Sequence, residues 1–571
     1  MTLHWAKELK GIFEGKIPCD LLIRGAKVVD LLGGGILEVP VAVHEGRIVA
    51  FEELRAREVF DAHGLYLSPG FVDCHIHIES SLLVPHQFAR ACLRHGTTAV
   101  FADPHEIANV FGEEGVRFML EDSEGLPVDF FFLLPSCVPA SPLESSGASL
   151  GPDALRRLKG HPRVAGLGEF MNVPGLLEAE AEAVEKLALF EGGIVDGHAP
   201  LLRGKNLSHY LSLGVGSDHE TVDLEEGREK LRKGLFLYLR EGSSAKALER
   251  LLPLLHPFNA DRFGFATDDL SPRDLAEGHI DLILRKAVAL GLDPLVALKV
   301  ACRSPFVHFR LPARGAVAPG YRADLVFLKD ITSFEVTGVI KGGRWAYRDG
   351  EYILPFPGVS PPRESPFTVP PAGDLKRKLS VKAQGKRLRI IGLRQGQIVT
   401  EERVLELPSG GEVLEPHLIG FPKVAVVERH RGTGRVGVGF LDGLGLEEGA
   451  LGSTIAHDAH NLVLVGMSDE EMLLAVETLR RSGGGLVVVK GAKVLAHLPL
   501  PVAGLMSDRS WEEVAKGLEE VEGAASVLGR RVLQHPFMYL SFVALSVIPS
   551  LRLTDRGLLD VPSQRFVPLT F

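Results

Sequence analysis

Between about residues 68 and 310, short apolar runs alternate with helical stretches, and most of the runs end in a histidine or a carboxylate. "TTAVFAD", "VDFFFLLPS", "VAGLGEF", "GGIVDGHAP", "LGVGSDHE" and "RFGFATDD" have the length and character of buried strands. Six such runs, with helices between them over about 240 residues, predict an α/β fold whose strands form a (β/α)8 TIM-like barrel. In that architecture function gathers where the strands end. The residues found there are His75 and His77, then Asp103, His105 and Glu106, then Glu169, His198, His219 with Glu220, and Asp268 with Asp269. One strand-end acid is readily a helix cap or a turn residue. A series of them in this order points to a ligand sphere.

The first of these runs, "PGFVDCHIHIESS" (69–81), carries its two histidines one residue apart. In a strand, residues i and i+2 share a face, so both imidazoles project together. Two adjacent imidazoles on a buried face are costly unless they are hydrogen-bonded or hold a metal. Four imidazoles and two carboxylates suit Zn²⁺, Mn²⁺ or Fe²⁺ rather than Ca²⁺. Six ligands exceed what one catalytic metal with open positions needs, and match two metals sharing a carboxylate.

The segments flanking the barrel region read as short strands separated by glycine turns. Residues 1–67 and 311–354 are expected to complete one small β-sheet domain around the catalytic barrel of 68–310. Residues 355–371 hold seven prolines in 17 residues and read as a semi-rigid linker. Residues 372–571 are expected to form a separate C-terminal α+β domain. The chain of 571 residues is long enough for two or three domains.

A net charge of −10 disfavours nucleic-acid or anionic-membrane partners, because phosphate binding needs a basic face. The basic stretch "KRKLSVKAQGKRLR" (376–389) is read as solvated surface. Five scattered cysteines with no CxxC pair, an N-terminus without an apolar h-region and no long apolar run lead to an expectation of a cytoplasmic location. The absence of PCxxC excludes the deaminase architecture that holds one zinc with an H-x-E motif.

The ordered set of HxH, Glu, His, His and Asp resembles the amidohydrolase superfamily. Within it, "PGFVDCHIHIESS", "HGTTAVFADPHEIANV", "GLGEFMNVPG", "DGHAP", "SDHE" and "ATDD" resemble the adenine deaminase family. So do "GSTIAHDAHNLVLVG" (452–466) and "LSFVALSVIPSLRLTDRGLLDV" (540–561), which lie beyond the linker. The resemblance implies hydrolysis of adenine to hypoxanthine and ammonia by a metal-bridged hydroxide, in purine salvage or catabolism. It implies a binuclear divalent site, with Mn²⁺ or Fe²⁺ favoured and Zn²⁺ compatible, and a homo-oligomer such as a dimer. By the same resemblance His75 and His77 bind the first metal and Glu169 bridges, where many relatives have a carboxylated lysine. His198 and His219 bind the second metal, while Asp268 ligates the first and shuttles protons. Glu220 contacts the purine and gives a proton to a ring nitrogen. Asp103 and His105 line the substrate space or serve as turn and cap residues, and Asp269 is a neighbour, with a one-residue ambiguity against Asp268.

Two other functions stay open on sequence alone: a related amidohydrolase cleaving an amide or N-acetyl bond, and a non-catalytic metal-bound binding protein. The cluster His457, Asp458, His460 and Asn461 also has two readings, a wall or lid of the active site and a polar turn of the C-terminal domain. Neither reading makes these residues metal ligands.

Overall fold

The computed structural model describes residues 3–395, 397–407 and 413–571. Its centre is a set of eight parallel strands in sequence order. These are β1 (Phe71–Ile76), β2 (Thr97–Ala102), β3 (Asp129–Leu134), β4 (Val164–Phe170), β5 (Val195–Gly197), β6 (Ser217–Asp218), β7 (Phe236–Arg240) and β8 (Phe263–Ala266). Strands β1 to β5 form one ladder and β6 to β8 another. The Gly216 N–H donates to Val195 O at 3.0 Å where the two ladders meet. At the other edge Ile76 bridges to Asp268 in parallel, so the sheet curls until its first and last strands touch.

Alternation along the strands explains the curl's two faces. Val72, Cys74, Ala99, Phe101, Phe131, Leu133 and Tyr238 pack together on the inside. Phe309 stacks on Phe101 with ring centroids 3.5 Å apart and fills the inner end. The residues between them, such as Phe71, Val100 and Phe130, face outward into the cluster formed with the surrounding helices.

Strands from both flanks pair with each other, with Leu325–Leu328 running antiparallel to Tyr66–Pro69. Beyond residue 371 an eight-stranded sheet is covered by helices Asp469–Ser482 and Trp511–Ser526. This C-terminal segment shares hydrophobic contacts with the curled sheet's helices. Phe88, Leu275, Trp511 and Val514 belong to one apolar cluster, and the Ser507 N–H donates to Leu82 O at 2.8 Å. The proline-rich stretch lies across both segments, pinned where the Val359 N–H donates to Asp122 Oδ1 (2.8 Å) and the Thr368 N–H to Arg429 O (2.8 Å). Residues of the basic stretch are taken up by surface partners, such as Glu470 for Lys376 and Glu402 for Arg389. Among the described residues, no helix is long and apolar enough to cross a membrane.

Candidate metal centre

All six predicted ligands meet at the C-terminal ends of the strands. His75 lies within β1 and His77 just beyond it, so their Nε2 atoms approach to 3.3 Å. Asp268 follows β8 in a left-handed conformation (φ 57°) that is uncommon for a residue with a side chain. Two backbone hydrogen bonds hold it there, from the Asp268 N–H to His75 O and from the His77 N–H to Asp268 O, each 3.0 Å. Its Oδ1 is thereby placed 3.2 Å from His77 Nε2 and 3.7 Å from His75 Nε2. Glu169 in β4 completes this group with Oε1 at 3.3 Å from His77 Nε2. Its other oxygen, Oε2, lies 2.6 Å from His198 Nδ1 and 3.1 Å from His219 Nε2.

The hydrogen bonds behind these rings fix their tautomers. His75 Nδ1 pairs with Asp196 Oδ2 at 2.8 Å and His77 Nδ1 donates to Asp103 O at 2.9 Å. Rings so held turn their Nε2 atoms toward each other and toward two carboxylate oxygens. Four electron-pair donors converging at 3.2–3.7 Å match a cation's ligand sphere and make a poor hydrogen-bond network. The second group, Glu169 Oε2 with His198 and His219, is drawn closer, at 2.6 and 3.1 Å, and its three atoms also lie near enough to one another to hold a cation. Burial opposes charge on His219, yet Glu169 beside it lifts the ring's pKa to about 10. Burial would raise the carboxyl of Asp268, but the Arg240 guanidinium and His77 hold it well below the usual carboxylate range.

The remaining predicted residues have different surroundings. Asp103 is fully buried, and its Oδ2 accepts from the Glu169 N–H at 2.9 Å, which steadies the end of β4. His105 points Nδ1 toward Glu169 Oε1 at 3.4 Å. Glu220 sits 3.5 Å from His219 Nε2 and pairs closely with Arg240. Of the two adjacent aspartates, Asp268 is the one whose carboxylate faces His75 and His77. Asp269 faces away, accepting from Ser80 Oγ at 2.5 Å, with its other oxygen 3.5 Å from His457 Nε2.

A cavity of about 280 Å³ is lined by Glu79, Glu106, Asp269, His457, His460 and Phe542 among others, with none of the six predicted ligands in its lining. The 457–461 loop forms part of that cavity's wall. His457 Nδ1 lies 2.8 Å from Glu106 Oε1, and His460 pairs with the other oxygen of Glu106. Sequence reasoning gave Glu106 no role, although it stands in the quoted "DPHEIANV". It also missed Arg240, whose Nη1 lies 2.7 Å from Asp268 Oδ2. The available signal was the apolar run "LFLYLR", which forms β7 and ends in a base.

Comparison with known proteins agrees with this geometry. Residues 66–346 match the amidohydrolase family, so the fold and site define a hydrolase of that family, for which a divalent metal site is implied. Residues 397–565 match the adenine deaminase C-terminal domain. The adenine deaminase of Oleidesulfovibrio alaskensis is 46% identical over 98% of both chains. Adenine deaminase 2 of Carboxydothermus hydrogenoformans is 44% identical over 99% of both, and the adenine deaminase of Methanothrix thermoacetophila 41% over 99% of both. The chain belongs to the adenine deaminase family.

Proposed function

We propose that this site hydrolyses adenine to hypoxanthine and ammonia, with two divalent metals held by the six strand-end residues. The observation that carries this reading is that His77, with His75 and Asp268 beside it, meets one oxygen of Glu169 while His198 and His219 meet the other. Such a pair of metals, when bound, supplies hydroxide at neutral pH. The donor set of imidazole and carboxylate suits Mn²⁺, Fe²⁺ or Zn²⁺. Glu169 takes the bridging place unmodified. The eight strands and their contact from β8 to β1 support a closed (β/α)8 barrel over 68–310, with 372–571 as a further α+β domain walling its mouth.

The chain's own residues do the rest. Asp268 takes the proton from the attacking water and delivers it to the exocyclic amine, so the C6–N bond breaks as ammonia leaves. Glu220 holds the ring edge and exchanges a proton with a ring nitrogen. Arg240 bridges Glu220 and Asp268 and fixes the distance between them. Asp103 and Asp196 act as positioning residues, the first on Glu169 and the second on His75. The test is turnover of adenine by the purified holoenzyme, followed as hypoxanthine and ammonia in equal amounts. Cleavage of N-acetyl or amide substrates without adenine turnover would replace this reading with the related amidohydrolase activity.

A further inference from the structure

The two halves of the centre are supported from behind in different ways. In the first half His75 Nδ1 pairs with Asp196 and His77 Nδ1 with Asp103 O. In the second half His198 turns its Nδ1 to Glu169, and His219 Nδ1 is buried without a hydrogen-bond partner. Among the described residues, neither of these two rings is aimed by a hydrogen bond from behind. The backbone that carries them therefore sets their aim.

That backbone is gathered by one buried lysine. Lys230 lies in the helix Leu224–Arg232, which follows β6, and is fully buried. Its Nζ donates to Ala199 O at 2.7 Å, Asp218 Oδ2 at 3.0 Å, Thr221 Oγ1 at 3.0 Å and Glu226 Oε1 at 2.6 Å. Ala199 follows His198 and Asp218 precedes His219. The other oxygen of Asp218, Oδ1, accepts from the Ala199 N–H at 2.8 Å. One ammonium and one carboxylate thus tie together the two segments that carry the second pair of imidazoles. Tyr210, also buried, extends the tie to Glu169: its O–H donates to Phe170 O at 3.0 Å and its oxygen accepts from the His198 N–H at 3.3 Å.

We propose that Lys230 is a positioning residue for the second metal, acting through Ala199 and Asp218 on His198 and His219. His75 and His77 keep their own supports and do not depend on it. A buried ion pair is weak ground for stability, since an apolar residue of similar size docks a helix as well. What the ammonium adds is direction, because it fixes a carbonyl and a carboxylate from two strand ends at one point. The inference rests on the two-metal reading above and adds the group that sets the affinity of one of its halves. Outer partners of metal ligands typically change metal affinity by about 10–100-fold.

The test is dialysis of the Mn²⁺-loaded full-length enzyme and its Lys230→Met variant against graded free Mn²⁺. Metal content is read at each step, and anomalous diffraction locates the ion that remains. Lys230→Met should lose the ion at His198 and His219 at free Mn²⁺ about 10–100-fold higher than the unaltered enzyme does. The ion at His75 and His77 should be held as before, and kcat should return at saturating Mn²⁺. Lys341→Met, which removes a buried lysine paired with Asp129, should lower the melting temperature and shift neither site. That control separates positioning from loss of stability. Thr221→Val removes one acceptor of Lys230 and should shift the second site the same way by a smaller factor. It decides alone should Lys230→Met fail to fold. Unchanged affinity at the second site, or equal weakening of both sites, overturns the role of Lys230 whether or not adenine is turned over. Selective loss of the second ion without any adenine turnover keeps that role and removes the deaminase reading instead. An unaltered enzyme that holds one ion only overturns the two-metal reading and the role of Lys230 with it.

Discussion

Two clusters of charge lie at opposite ends of the same curled sheet, and they are built in opposite ways. At the N-terminal end Asp129 opens β3, and its Oδ2 accepts from Lys341 Nζ at 2.7 Å and Arg314 Nη1 at 2.5 Å. Lys341 also reaches Asp324 at 3.0 Å, and Arg322 lies 3.0 Å from the same carboxylate. Two acids there share three bases. At the C-terminal end Glu169, Glu220 and Asp268 are surrounded by Arg240 and five imidazoles, those of His75, His77, His105, His198 and His219. The first cluster gives every carboxylate a Lys or Arg partner, with one base in excess, and ties the flanking sheet to the strands. The second gathers three acids around one base and several imidazoles, an arrangement that the proposed metals would complete.

The largest effect expected from this contrast is that of removing those metals. Chelation of the metals should abolish adenine turnover, while the Asp129 cluster, which holds no such ligand set, keeps the fold. Reloading with Mn²⁺ in CO2-free buffer should restore full activity, since Glu169 supplies its carboxylate without modification. A requirement for bicarbonate would refute the bridging role of Glu169.

Next comes Asp268→Asn. Asparagine keeps the shape and one ligating oxygen but cannot accept a proton. The variant should retain much of its metal and lose roughly 10²–10⁴-fold in kcat, the scale of a lost general acid–base. Asp269→Asn should cost about tenfold or less, because it weakens contacts to Ser80 and His457 worth about 1 kcal/mol each. Metal content and kcat measured on both variants separate the two residues. Reversed severity would mean that Asp269, not Asp268, handles the proton.

The difference between the two ends also explains what the sequence could reveal. Parallel strands present their C-terminal ends on one side, so His75, Glu169, His198, His219 and Asp268 could be collected by reading the end of each run. Arg240 escaped because its run ends in a base and offers no ligand. The partners of Asp129 escaped because Lys341 stands 212 residues away, in a strand whose pattern says nothing of its neighbour. The 457–461 loop was visible as a polar cluster, but its facing residue, Glu106, is 354 residues from His460 and found only by packing. Arg429 holds that loop through backbone carbonyls, donating to His460 O at 2.6 Å, a contact no residue pattern announces.

The smallest effect on chemistry is expected at the N-terminal end. Asp129→Asn removes the charge that Lys341, Arg314 and Arg322 share, leaving Asp324 to balance three bases. The side chain of Asp129 is 21% exposed, so the cost should fall between that of a surface pair and a buried one, about 2 kcal/mol. Burial would raise this carboxyl, but Lys341, Arg322 and Arg314 hold it well below the usual range. Its contribution to stability is therefore complete above the unfolded value of about 3.9 and is lost as pH falls through the lower folded value. Thermal melts should show the variant a few degrees less stable, by the same margin at pH 6 and pH 8 because both lie above that window. Its kcat on adenine should equal that of the unaltered enzyme, since the N-terminal face of such a sheet serves stability and not chemistry. A fall in kcat with metal content unchanged would show that the two ends are coupled, and that the Asp129 cluster does more than hold the strands in place.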